Sequence, residues 1–165
     1  MLYIYYGEAK TPTSLGFQNY HDVIANITGI KQKLGFDADI HFSANHCDGS
    51  GERNWTGCDL IYFDLDHPKV ELKEAMKQLV DATGIAEAFW SVNNSGNGFH
   101  FFAEMAKIEN SYEYDIFQAK YRVVIGLLNK TETGIWDMVF DTARTMRLPQ
   151  TRNIKETGET FAHIL

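Results

Sequence analysis

Three short stretches of the chain carry side chains whose types and spacing suit chemistry. The first is DLIYFDLDHP, residues 59 to 68, an apolar run broken by two carboxylates, Asp64 and Asp66. If the run is a strand, alternation puts both acids on one face with Leu65 opposite. Two carboxylates one pleat apart repel each other unless a cation lies between them, and hard oxygen ligands of this kind suit Mg²⁺ or Mn²⁺. The alternative for the pair alone is an ordinary turn, with an acid capping the chain ahead of His67-Pro68.

The second stretch is NSGNGFHFF, residues 94 to 102. Gly96 and Gly98 leave backbone N–H groups able to approach an anion, Ser95 adds a hydroxyl, and His100 follows among aromatics. Such a loop suits a polyphosphate; the competing reading is a plain hairpin with a buried, hydrogen-bonded histidine. The third stretch is VFDTARTMRLPQTRNIK, residues 139 to 155, in which Asp141 ends an apolar segment and Arg144, Arg147, Arg152 and Lys155 follow. The net charge of −7 argues against a polyanionic partner, yet residues 142 to 155 hold four cations and no acid. A cationic strip on an acidic body holds phosphates, or else is a solvated edge.

Carboxylate pair, glycine turn with histidine, and acid with arginines are what a metal-dependent phosphoryl or nucleotidyl transfer needs. In this order they resemble the catalytic core of the archaeo-eukaryotic primase superfamily, the primase-polymerases of plasmids, phages and mobile elements. That family carries a strand ending in D-x-D or D-x-E, a G-x-G-x-H segment, and an acid followed by an R-L-P-G-T-x-N-x-K type stretch. The matching positions are Asp64 and Asp66, then Ser95, Gly96, Gly98 and His100, then Asp141, Arg144, Arg147, Pro149, Thr151, Asn153 and Lys155. Gln150 stands where the family often has glycine.

The resemblance implies an RRM-like sheet with packed helices and an added small α/β unit. It implies attack of a 3′-hydroxyl on the α-phosphate of a nucleoside triphosphate, with two Mg²⁺ or Mn²⁺ ions held by Asp64, Asp66 and Asp141. Ser95, Gly96, Gly98, His100, Arg144, Arg147 and Lys155 would then bind the nucleotide, and Arg152 and Asn153 the nucleic acid. The implied partners are a single-stranded or primed DNA template and NTP or dNTP, with an accessory helical or helicase domain or a partner chain.

These groups must be positioned by a scaffold, and the patterning supplies one. The 165 residues, 44% hydrophobic, suit a single domain. LYIYY, DIHFSAN and DLIYFDLD look like strands, the last with apolar residues on both faces as in a central strand. Gln18 to Leu34 is weakly helical with a break expected at Thr28-Gly29. Val70 to Val80 repeats at helical spacing with a stop at Thr83-Gly84, and a second helix runs from Tyr114 to near Asn129. AFWSV and FHFF flank a hairpin tip, and IWDMVFD, TRNIK and TFAHIL complete the strands. Strands and helices in this mixture predict an α+β or α/β domain.

No leader pattern and no eighteen-residue apolar run is present, so a cytoplasmic location is expected. Cys47 and Cys58 are too few for a disulfide framework, and with His41 and His46 they lack a C-x-x-C knuckle, so zinc is not expected. Two rivals stand beside the polymerase reading. GFHFF resembles the aromatic segment of a non-catalytic RRM module, although that module has no use for the acids. A metal-dependent nuclease or nicking initiator also uses acids and histidine, but His100 has no His-x-His partner.

Overall fold

The computed structural model describes residues 1–7, 10–36, 38–49, 54–153, 160–161 and 163–164, with the backbone alone from 152 onward. It is a mixed α+β arrangement of antiparallel sheets and, among the described residues, four α-helices. LYIYY forms β1 (Leu2–Tyr6), which pairs with β2 (Thr11–Phe17) and β3 (Ile40–Ser43). Far along the chain, β9 (Thr145–Arg147) adds to β3 and gives a first sheet of order β2-β1-β3-β9.

The second sheet is built on β5 (Trp55–Asp66), whose apolar run is buried for most of its length. One edge of β5 pairs with β7 (Gly98–Ile108), and β7 pairs with β6 (Ser91–Asn94) through the expected hairpin. The other edge takes β4 (His46–Cys47) at one end and β8 (Ile135–Asp137) at the other. The strand order is β12-β6-β7-β5-β4, with β8 on β5 and β12 (His163–Ile164) at the outside. Strands β10 (Arg152–Asn153) and β11 (Thr160–Phe161) pair with each other.

Helices join these strands where the apolar spacing asks for them. α3 (Leu72–Thr83) buries Ala75, Met76 and Leu79 and stops at Gly84, whose left-handed φ of 71° lets its N–H reach the Val80 carbonyl. α4 (Ser111–Leu128) starts earlier than its apolar stripe alone suggests, because the Asn110 side chain caps it by accepting from the Glu113 N–H at 2.8 Å. The break near the N-terminus falls elsewhere than expected. α1 (Tyr20–Ala25) ends at Asn26, whose backbone and side-chain N–H groups both donate to the Asp22 carbonyl, and α2 (Ile27–Leu34) contains Thr28 and Gly29. A hydrogen-bonding asparagine ended the helix where a glycine was expected to.

One continuous apolar core joins both sheets and the helices. Phe42 of β3, Phe102 of β7 and Tyr20 of α1 meet ring to ring, while Phe63 of β5 packs on Trp90, Tyr121 and Trp136. Among the described residues no helix is long and apolar enough to cross a membrane.

The IWDMVFD segment is only partly a strand. The ladder ends at Asp137, and the chain turns away through Val139 N–H to Asp137 carbonyl and Asp141 N–H to Val139 carbonyl bonds. Further on, Gln150 has φ 59°, the left-handed conformation that a glycine takes without strain. Its carbonyl accepts from Lys31 Nζ at 2.7 Å, and Thr151 Oγ1 donates to the Leu148 carbonyl at 2.6 Å. The loop thus keeps a glycine's path without the glycine. Replacing Gln150 with glycine removes a Cβ penalty of about 1–2 kcal/mol and adds about 0.5–1 kcal/mol of unfolded-chain freedom. The expected result is a melting temperature higher by a degree or more in a thermal scan; a lower one means the side chain holds the loop by other contacts.

Candidate metal centre and its cleft

The register of the second sheet assembles the centre. Asp64 stands opposite His100 on β7 and opposite Asp137 on β8, while Asn93 on β6 stands opposite His100. Directly opposed residues of an antiparallel ladder project to the same face. One row across four strands therefore reads Asn93, His100, Asp64, Asp137, with Asp66 one pleat further along β5. The other face carries Phe63, Leu65, Phe101 and Trp136 into the core.

Carboxylate oxygens of Asp64, Asp66 and Asp137 all lie within 4.8 Å of one another, a group suited to a divalent cation. Octahedral coordination at about 2.1 Å puts neighbouring ligand oxygens about 3 Å apart, so small side-chain rotations suffice. Two further observations fit a cation here. Asp64 Oδ1 is buried with no hydrogen-bond partner, and burial together with the neighbouring Asp137 pushes the Asp64 carboxyl up to about 7. Asp66 is raised as well, by burial and then by Asp64 and Asp137. A positive charge among the three relieves all of this strain at once.

His100 Nε2 is 3.4 Å from Asp64 Oδ1 without hydrogen-bond geometry, and its Nδ1 is buried with no partner. Burial, then the Arg147 charge, lowers the imidazole to about 4, so at neutral pH the ring is uncharged and acts as a hydrogen-bonding group.

The row opens into a cleft of about 250 Å³ where the two sheets meet. The second sheet supplies Asp64, Asp66, His100 and Asp137, the hairpin tip Ser95 and Asn97, and the first sheet His41, Thr145, Met146 and Arg147. Lys10 and Arg144 close its rim. Three stretches far apart in sequence thus meet in one place.

The structure treats the expected site residues unequally. Asp141 lies outside the carboxylate group. It is exposed, its Oδ2 accepts from Arg144 Nε at 3.1 Å, its Oδ1 accepts from the Ala143 N–H, and Asn45 Nδ2 holds its carbonyl at 2.8 Å. Asp137, which shares strand parity with Asp141, takes the place beside Asp64. Arg144 also donates from Nε to the Val139 carbonyl at 2.8 Å, which holds it at the cleft. Arg147 is buried against Asp39 on β3's approach, and Asp39 also takes His41 Nε2 at 3.0 Å. Burial, the largest single influence on Asp39, would raise its carboxyl, but His41 and Arg147 together outweigh it and hold it below the usual range.

The two glycines of the turn differ in what the structure asks of them. The Gly96 N–H is taken by Asn94 Oδ1 at 2.8 Å and its φ of 97° turns the hairpin. Gly98 lies so close to β5 that a Cβ there would stand 2.0 Å from the Leu65 carbonyl oxygen. The side chains of Arg152 and Asn153, and all of Lys155, lie outside the described residues. His46 Nε2 is 2.8 Å from Asp59, and Cys47 and Cys58 are buried free thiols. Lys10 and Asp39 could not be singled out from the sequence because they belong to no motif, Asn97 sits in the glycine turn without a role of its own there, and His41 is a candidate only for zinc; the pairing of β3 with β9, which sets His41 opposite Arg147, brings that imidazole near the acids.

The raised Asp64 carboxyl has a pH consequence. A carboxyl that holds its proton more tightly folded than unfolded stabilises the fold fully below the unfolded value near 4 and loses that contribution as pH rises through about 7. His100, lowered to about 4 in the fold, works in the opposite direction between pH 4 and 6.5, so the Asp64 contribution is read as a difference. Without divalent metal, the stability of the unaltered protein relative to Asp64→Asn is expected to fall by a few kcal/mol between pH 4 and 8. Urea titrations at several pH values check this, and saturating Mg²⁺ or Mn²⁺ is expected to flatten the profile. A flat difference profile without metal would show that Asp64 is not strained.

Comparison of the chain with protein-family models, with curated proteins and with solved structures returned no match to any of them.

Proposed function

We propose that the protein is a template-directed nucleotidyltransferase of primase-polymerase type, working by a two-metal mechanism in replication of a plasmid, phage or mobile element. One observation carries the reading. Asp64, Asp66, His100, Arg144 and Arg147, all singled out by the sequence, line a single cleft together with Asp137, and the acids carry an unmet demand for cations.

The topology supports the RRM-like part of the resemblance. From β5 to β8 the order is strand, α3, strand, strand, α4, strand, and the sheet runs β8-β5-β7-β6 with every neighbour antiparallel. This is the split β-α-β arrangement. The first sheet, with α1 and α2, is a further group of strands and helices, which fits an added α/β unit.

In this reading Asp64, Asp66 and Asp137 hold two Mg²⁺ or Mn²⁺ ions, with Asp137 in the role expected of Asp141 from the sequence. Ions held there would supply Lewis acidity to a primer 3′-hydroxyl and positive charge to a departing pyrophosphate. Arg144 and Arg147 supply permanent positive charge for the triphosphate, and Asp39 fixes the Arg147 guanidinium from behind. His100, uncharged, offers a hydrogen bond to a phosphate oxygen, and Ser95 a hydroxyl from the hairpin.

A non-catalytic RRM module would display the aromatic rings of GFHFF for base stacking. Phe101 and Phe102 are instead 0% and 1% exposed, packed into the core, and Phe99 is half-buried against it. Incubating the protein with labelled primer-template, nucleotides and Mn²⁺ tests the proposal. Extension supports it, cleavage of the strand points to a nuclease, and retention alone returns the RRM reading.

His100→Ala is expected to weaken nucleotide binding by roughly tenfold, the worth of one hydrogen bond to a charged group, and to leave template binding nearly unchanged. Separate titrations with nucleotide and with single-stranded DNA measure this; the reverse pattern removes the histidine from the triphosphate.

A further inference from the structure

The buried face of α4 carries Tyr114, Tyr121, Ile125 and Leu128, and Tyr121 stacks on Phe63 at 4.8 Å. The opposite face should be polar, as on an ordinary surface helix. It carries Tyr112, Ile116, Ala119, Val123 and Leu127 instead, all exposed. The four large ones are exposed by 74%, 40%, 64% and 48%. Their steps of four, three, four and four residues make one stripe along a helix about 27 Å long, on the side turned away from the core.

The charges beside the stripe are ordered. Asp115 and Arg122 flank one side, and Glu113 and Lys120 flank the other, all exposed. On both sides the acid lies in the N-terminal half and the base two turns later. Such a helix is complementary to itself when reversed.

We infer that this protein forms a two-fold symmetric dimer through α4, with the two copies of the helix antiparallel. In that pairing Tyr112 packs on Val123 of the second copy and Ile116 on its Ala119. The same register brings Asp115 to Arg122 and Glu113 to Lys120 across the seam, each twice by symmetry. A parallel pairing would retain an attraction only between Asp115 and Lys120. Because the stripe lies opposite Tyr121 on the helix, both clefts stay open in the dimer.

A single helix pair is a small interface, so the dimer is expected to dissociate in the range of about 10–100 µM. Sedimentation equilibrium at low salt, from about 5 to 500 µM protein, reads this directly. A chain that stays monomeric throughout overturns the proposal. That result is what a stripe covered by a further helical domain would give. Val123→Glu, at an exposed position, is expected to abolish association while circular dichroism stays unchanged, and a dimer that survives it is not formed by this face.

The charge pattern supplies the decisive arm. Asp115→Arg and Arg122→Asp are each expected to weaken self-association by roughly ten- to thirtyfold, since two attractive pairs become repulsive. An equimolar mixture of the two variants restores a dimer, because every contact is again between opposite charges. Failure of the mixture to associate overturns the antiparallel register.

Discussion

Asp137→Asn is expected to lower metal-dependent nucleotide incorporation by at least roughly a thousandfold, a loss of about 4 kcal/mol of transition-state stabilisation. Asp64→Asn and Asp66→Asn should do the same. Asp141→Asn should remain within about tenfold of the unaltered protein, because its carboxylate serves Arg144 and the Ala143 N–H and not the acidic group. The stability readout separates a lost ligand from a lost fold. Removing one of three mutually repelling carboxylates relieves the charge that raises Asp64, so the melting temperature without metal should hold or rise for Asp137→Asn. The same variant should lose most of the stabilisation that Mg²⁺ or Mn²⁺ gives the unaltered protein. If Asp141→Asn were the inactive variant and Asp137→Asn extended primers normally, the third ligand would be Asp141, and the turn that now carries it away from β5 would have to refold in the working complex.

Those two aspartates show where the sequence stops being legible. Strand parity is local, so the shared face of Asp64 and Asp66 could be read from two residues and the pleat. The amphipathic stripes that became α3 and α4 were equally local. Parity cannot tell Asp137 from Asp141, four residues apart, because both alternate to the same side. What separates them is the end of β8, and that end is set by distant groups. Tyr62 donates to the Val139 carbonyl at 2.9 Å, Gln118 to the Phe140 carbonyl at 3.0 Å and Asn45 to the Asp141 carbonyl at 2.8 Å. Each takes a backbone acceptor that would otherwise continue a ladder. The grouping of His41 and Asp39 with Arg147 was illegible for a related reason: Arg147 lies in another part of the chain, and no spacing rule connects them. The hairpin around Ser95 was legible as a turn, but the purpose of its glycines was not, since that depends on what lies across from them.

Gly98→Ala is expected to cost at least about 3 kcal/mol of stability and to abolish incorporation even where the protein remains folded. The added methyl would stand 2.0 Å from the Leu65 oxygen, 2.9 Å from its carbonyl carbon and 3.1 Å from the Asp66 Cα, all backbone atoms with no rotamer to yield. Relief requires β7 to move off β5 by more than 1 Å at the Asp66–Gly98 pair, since ordinary contact begins near 3.4 Å. That pair lies one pleat from the Asp64–His100 pair, so the movement carries the imidazole away from the acids and turns Asp66 within its group. Gly29→Ala gives the matched control. Gly29 lies inside α2, and a methyl added there would meet nothing within 4 Å, so alanine should stabilise by up to about 1 kcal/mol. Urea unfolding of the two variants beside primer extension reads both effects. Should Gly98→Ala keep both stability and activity, the close approach of β5 and β7 would not be what holds His100 in front of Asp64, and the glycine would instead serve as a backbone donor to phosphate.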